Sequence, residues 1–118
     1  MTYIQGFLLA VPEANKEKYR DLAAGVAPVF RKHGALRMVE AWGVDVPDGK
    51  VTDFRRATRA QPDETVVFAF VEWPDRATCD AASARMQEEM SEMPQTEMPF
   101  DGMRMMWGGF ETIFEFRE

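Results

Sequence analysis

Two carboxylates stand out because of what surrounds them. Glu40 lies two residues before Trp42 within Leu36–Asp45, so an extended chain puts both side chains on one face. Glu72 sits near the end of Thr65–Trp73, a run that is otherwise almost wholly apolar. Low-dielectric surroundings disfavour the charged form of a carboxyl group, raise its pKa and let it exchange a proton near neutral pH. If Glu40, Trp42 and Glu72 point into one enclosed space, the two glutamates are the candidate catalytic acid and base. The plainer alternative pairs Glu40 with Arg37, Arg55 or Arg56 at a sheet edge and leaves Glu72 in water. Trp42, His33, Arg55 and Trp107 are the candidate ligand-binding residues. Residue types alone leave open whether the chain is an enzyme.

Other reactive groups have simpler explanations. His33 is the one histidine, placed before Gly34 at the end of a helical pattern, where a cation complements the helix dipole. Cys79 is the one cysteine, so no intrachain disulfide forms, and without a neighbouring His or a second Cys it reads as a small buried filler. One His and one Cys do not supply the usual zinc ligands. Met86, Met90, Met93, Met98, Met103, Met105 and Met106 have a spacing that copper(I) accepts. Methionine also fills irregular cores and interfaces, so no metal and no other cofactor is expected. Gly108-Gly109 lacks the Lys-Ser/Thr of a phosphate loop and lies inside a strand pattern.

Charge narrows the partners. Fourteen Lys and Arg against twenty Asp and Glu give a net charge of −6, which repels phosphate and argues against nucleic acid. Lys50, Arg55, Arg56 and Arg59 form the only basic cluster, and it reads as a solvated turn. Residues Met1 to Gly6 lack a basic stretch, and Phe7–Val11 is too short for a leader or a membrane span. A cytoplasmic protein with no membrane partner is expected.

The elements that must position these side chains follow from periodicity. The 118 residues make one domain, 1–118, large enough for a real core. Tyr3–Val11 is apolar almost throughout and predicts a central strand covered on both faces, ended by Pro12. Asn15 is expected to cap a helix carrying Tyr19, Leu22, Ala23, Val26 and Phe30 at helical spacing, bent by Pro28 and stopped by Gly34. Leu36–Asp45 is the second strand and Pro47-Asp48-Gly49 a turn, while Asp53–Ala60 is either an irregular excursion or a short extended arm. Thr65–Trp73 is the third strand. Asp75 then caps a helix running to about Met90, with Ala82, Met86 and Met90 as its buried stripe. A loop, Ser91–Gly102, leads to a last strand, Met103–Phe116, with a bulge expected at Gly108-Gly109.

Right-handed crossovers fold this order into an α+β, ferredoxin-like βαββαβ antiparallel sheet with both helices on one face. The other face would then carry large apolar groups, Trp42 or Trp107 among them. A patch of that size is a liability in a monomer, and the simplest cover is a second copy of the same face. A homodimer is therefore expected.

Several runs also resemble a known family. These are Val11-Pro12 with Ala14-Asn15-Lys16, His33-Gly34-Ala35-Leu36-Arg37, the long Val46 to Ala57 stretch, and Glu64-Thr65-Val66-Val67-Phe68. Glu72-Trp73-Pro74, Met98-Pro99-Phe100-Asp101-Gly102 and Gly108-Gly109-Phe110-Glu111 complete the set. Over almost its whole length the chain resembles the YbaA-like family of uncharacterised bacterial proteins. That resemblance implies a dimeric α+β barrel, in which two ferredoxin-like sheets face each other around a cavity, and it implies no activity. The function expected is binding or processing of a small molecule in a pocket on the sheet face. The competing expectations are a non-catalytic dimeric module, filled solid by Trp42, Phe68, Phe70 and Trp107, and RNA association through the arginines near Arg55.

Overall fold

The computed structural model describes residues 2–91 and 97–118. Its strands are β1 (Tyr3–Pro12), β2 (Arg37–Trp42), β3 (Glu64–Trp73) and β4 (Met106–Glu111), all antiparallel and ordered β2-β3-β1-β4. Helix α1 (Lys16–Lys32) joins β1 to β2, and α3 (Arg76–Ser91) precedes β4. A short helix, α2 (Phe54–Thr58), interrupts the path from β2 to β3. This is the expected α+β ferredoxin-like architecture.

Register explains the burial. Strands β1 and β3 occupy the centre, so each has neighbours on both sides and carries apolar residues on both parities. One parity of the pair, Phe7, Leu9 and Val11 with Val67, Ala69, Val71 and Trp73, faces the two long helices. Tyr19 of α1 joins Leu9, Val11, Val67 and Ala69 in one core cluster, and Cys79 and Ala82 of α3 join Val71 and Trp73 in a second. Phe30 tilts against Trp73 with ring centroids 6.2 Å apart. Cys79 is buried, as its isolation in the sequence suggested, and burial pushes its thiol pKa up.

The opposite parity carries Ile4, Leu8, Phe68, Phe70, Met106 and Phe110. Of the helices among the described residues, α2 is the one that packs on this face, where Phe54 meets Phe68 edge-on at 6.4 Å and Thr58 is buried. The expectation that Trp42 or Trp107 would lie here is corrected. Trp42 stands opposite Val67 and Trp107 opposite Phe7, so both lie on the helix face.

Local expectations fared unevenly. Asp75 accepts the Thr78 backbone N–H at 2.7 Å and caps α3, whose Ala82 and Met86 are buried. Gly34 takes φ +107°, the left-handed conformation that ends α1. Asn15 occupies the N-cap position but does not cap, because a 3₁₀ turn at Glu13–Asn15 leaves it outside the extended conformation a cap uses. Its side chain instead donates to the Pro99 carbonyl at 2.9 Å. Pro28 lies inside α1, which continues past it to Lys32. The ambiguous Asp53–Ala60 contains α2, capped by Asp53, whose carboxylate accepts the Arg56 N–H at 2.7 Å.

Strand β4 is shorter than expected and has no bulge. Gly108 and Gly109 keep register opposite Gly6 and Gln5. The Phe110 ring lies across Gly6 and Gly108 at ordinary contact distance, whereas Gly109 must be small because a Cβ there would collide with the Tyr3 ring.

Candidate functional site on the open face of the sheet

Glu72 comes one residue before the end of β3, with Ile4 of β1 and Arg37 of β2 as its direct neighbours across the sheet. Those pairings place it on the open face, yet it is only 5% exposed. Burial comes from the segment that follows β4. Thr112 donates its N–H to the Thr2 carbonyl at 3.2 Å, their hydroxyls meet at 3.1 Å, and residues 112–118 then turn back over this end of the sheet. There the Arg117 guanidinium forms an ion pair with the Glu72 carboxylate while also reaching Glu115. A buried carboxylate requires such a partner, since an unpaired charge in that position is costly.

A solvent-open cleft of about 940 Å³ lies between this segment and the sheet, walled by Ile4, Arg37, Phe70, Phe114 and Phe116 with Glu72 in its lining. Arg37 holds its guanidinium 5.5 Å from the centre of the Phe70 ring, a cation–π contact. Ile113, Phe114 and Phe116 are 90%, 80% and 83% exposed, so the segment also presents apolar surface outward.

Glu40 lies on the other side of the sheet. It pairs across the strands with Ala69, on the helix face, and accepts a hydrogen bond from the Tyr19 hydroxyl at 2.5 Å. Burial, reinforced by this bond to a carboxylate, pushes the Tyr19 pKa far up. Glu40 as a residue is exposed at the edge strand, but partial desolvation of its carboxyl against the helix layer raises that group's pKa, with the Tyr19 bond pulling partly the other way. Beside it, Lys16 sits over the Trp42 ring at 5.4 Å from the centroid.

Glu40, Trp42 and Glu72 therefore do not share one space. Glu40 and Trp42 are neighbours on the helix face, and Glu72 is alone on the open one. The plainer alternative is corrected too: Glu40 pairs with a phenol and with none of Arg37, Arg55 or Arg56, and Glu72 is buried. The cause is the parity of β2. Its register against β3 puts even-numbered residues of β2 beside odd-numbered residues of β3, so Glu40 and Glu72 face opposite ways.

The other candidates are dispersed. His33 is nearly buried and contacts Glu89 at 3.2 Å, with Lys32 3.6 Å from the same carboxylate. It lines a separate groove of about 560 Å³ with Lys32, Thr78 and Arg85. Arg55 donates to the Glu64 and Gln61 carbonyls at 2.9 and 2.8 Å, which holds the end of α2 to β3. Arg56 bonds Asp53 at 2.9 Å and the Val51 carbonyl at 3.0 Å, and reaches the Gly49 carbonyl as well. With backbone N–H groups of Arg56 and Gly49 donating to it, the Asp53 carboxyl falls to about 2. Trp107 is exposed at the β4 edge. Met86 is buried under α3, Met105 packs on the first core cluster, Met106 faces the open side and Met103 is 93% exposed, so these four do not converge. The Met90 side chain and Met93 lie outside the described residues.

Sequence reasoning missed the Tyr19 hydroxyl, Arg117 and a third pair. Glu64, 4% exposed, receives two bonds of 2.7 Å from Arg104, which also donates to the Arg59 carbonyl. Tyr19 was legible only as a member of an apolar stripe. Arg117 and Arg104 lie 45 and 40 residues from their partners, a separation at which local pattern carries no signal.

Comparison with known proteins agrees with this architecture. A solved structure described as a dimeric ferredoxin-like protein from an uncultured marine organism superposes with a TM-score of 0.61. That match has 13% identity and covers 98% of this chain and 100% of the other, which shows a shared fold. The protein called "Uncharacterized protein YbaA" in Escherichia coli (strain K12) is 50% identical over 117 residues, covering 98% of this chain and 99% of its own length. The YbaA protein of Shigella flexneri matches equally well. Residues 2–102 match the family described as "Protein of unknown function (DUF1428)". The chain belongs to this family, as a YbaA-like member with a ferredoxin-like α+β fold.

Proposed function

We propose that the chain, as one domain, forms a homodimer with the open sheet faces turned toward each other, and that a small molecule binds between them beside Glu72. The carrying observation is the uncovered apolar face. Phe68, Met106 and Phe110 are 50%, 39% and 60% exposed on the same face of the sheet, and Phe114 and Phe116 wall the cleft at its end. Surfaces of this kind mark association sites, and a symmetric pairing covers each copy with the other. The structural neighbour's description as dimeric supports the same assembly.

Support for a ligand comes from the cleft, which places a buried carboxylate and aromatic rings around about 940 Å³ of space. RNA association has less support, because Arg55 and Arg56 spend their guanidiniums on carbonyls of their own chain. Membrane insertion lacks support as well: no helix among the described residues is long and apolar enough to cross a bilayer. A cytoplasmic setting fits the single free, buried cysteine. The alternative, a non-catalytic interaction module, requires a solid interface, and two of the residues expected to fill it, Trp42 and Trp107, face the helices instead. Sedimentation velocity at micromolar concentration tests the assembly: a dimer is expected, and a stable monomer overturns the proposal. Native mass spectrometry of the purified protein then asks whether a small molecule travels with it.

A further inference from the structure

We propose that the Glu72 seat binds the planar cation of a small organic ligand, an amidinium or guanidinium on an apolar body, and that Arg117 is the protein's own competitor for it. The inference deepens the pocket reading above and rests on it.

Glu72 is a carboxylate buried in the body of the sheet, so its charge must be answered. Among the described residues its one ion-pair partner is Arg117, which comes from a strap outside any regular element and keeps 65% of its side chain in water. The acid is thus held rigidly and its cation loosely. A guanidinium on a short strap competes as an intramolecular ligand of finite effective concentration, and a free ligand of the same chemistry displaces it. The surroundings suit that exchange. Phe70 already accepts a guanidinium on its face, from Arg37, and Phe114 and Phe116 stand on the strap side of the same cleft. The cleft extends well beyond the carboxylate, which leaves room for the body of a ligand.

Arg37 is the one rival explanation. It lies directly across from Glu72 on β2 and lines the cleft. If it swings from Phe70 to Glu72 whenever Arg117 leaves, the seat neutralises itself and no external cation is needed.

Isothermal titration with benzamidine, an aromatic amidinium, and with benzamide, its neutral isostere, separates these outcomes. The full-length parent, Arg117→Gln, Arg117→Lys and Glu72→Gln are compared. Removing the competing guanidinium is expected to tighten benzamidine binding by about tenfold or more. Arg117→Lys, which keeps a charge but loses the planar fork, should fall between that variant and the parent. Benzamide should bind to none of the four, and Glu72→Gln should abolish benzamidine binding. Equal benzamidine affinity in the parent and Arg117→Gln, no binding in either, or equal binding of benzamide overturns the proposal. If Glu72→Gln fails to fold, the Arg117 variants and the amidine–amide contrast still decide. Sedimentation of the same samples keeps the readings apart: a monomer that still binds benzamidine through Glu72 sinks the dimer and spares the seat, and a dimer that ignores benzamidine does the reverse.

Discussion

On the helix-covered face Glu40 meets a phenol, whereas on the open face Glu64 and Glu72 each meet a guanidinium. A phenol is neutral, so it offsets only part of the carboxyl's partial desolvation and Glu40 stays raised. The two bonds from Arg104 favour the charged form, and the Glu64 carboxyl is lowered. Desolvation thus sets the direction of the Glu40 shift, and the hydrogen bonds from Arg104 set that of Glu64. The contrast extends to packing: one face is closed by long helices, and the other by a short helix, a strap and, as proposed, a second copy.

The largest expected effect lies on the closed face. Trp73 is 1% exposed between β1, α1 and α3, and Trp73→Ala should destabilise the fold by about 3–5 kcal/mol, measured by urea denaturation. A loss below about 1 kcal/mol would show that the helix layer is not the main source of stability.

Next comes the ion pair at Glu64. Arg104→Ala strands a buried carboxylate and should cost about 3 kcal/mol, at the low end for buried pairs because Arg104 is 20% exposed. Its pH dependence has a definite sign. The folded Glu64 pKa is lowered, so the pair's stabilisation is present above the unfolded value of about 4.3 and lost as pH falls through the folded value. The gap between parent and Arg104→Ala should therefore shrink in acid thermal melts, and a gap that is constant with pH would contradict the assignment.

On the open face, Phe68→Asp should separate assembly from folding. Phe68 is half exposed in one copy, so the monomer should lose under about 1 kcal/mol, while burying an unpaired charge should weaken the dimer by about 2–3 kcal/mol. Sedimentation against concentration reads the second quantity and urea denaturation the first. An unchanged dimer would move the interface elsewhere.

The smallest effect is expected at Glu40. Glutamine still accepts the Tyr19 hydroxyl and carries no charge to desolvate, so Glu40→Gln should lie within about 0.5 kcal/mol of the parent at neutral pH. Because its folded pKa is raised, Glu40 contributes stability below about pH 4.3 that is lost as pH rises through the folded value. The variant should thus gain on the parent between acid and neutral pH. A strong loss at neutral pH would reveal a requirement for the charge. That result would favour the arginine-type pairing expected from the sequence, which the Tyr19 contact replaces.

What the sequence determined by itself was set at short range, although the Asn15 cap, the Gly108-Gly109 bulge and the helical form of Phe54–Thr58 escaped it. Strand parity, the Asp75 cap, the Gly34 stop and the two-sided apolarity of β1 and β3 follow from residues within a turn or two of one another, and together they suffice for the ferredoxin-like order. Local pattern also singled out Glu40 and Glu72 as unusual. Only the tertiary structure decided what each glutamate faces. A one-residue change in the β2–β3 register would move Glu40 and Trp42 together to the open face. No local rule ties Arg104 to Glu64 or Arg117 to Glu72, because those bonds depend on where a loop and a strap close in space. They form there because a carboxylate that loses water must take a cation from whichever element arrives.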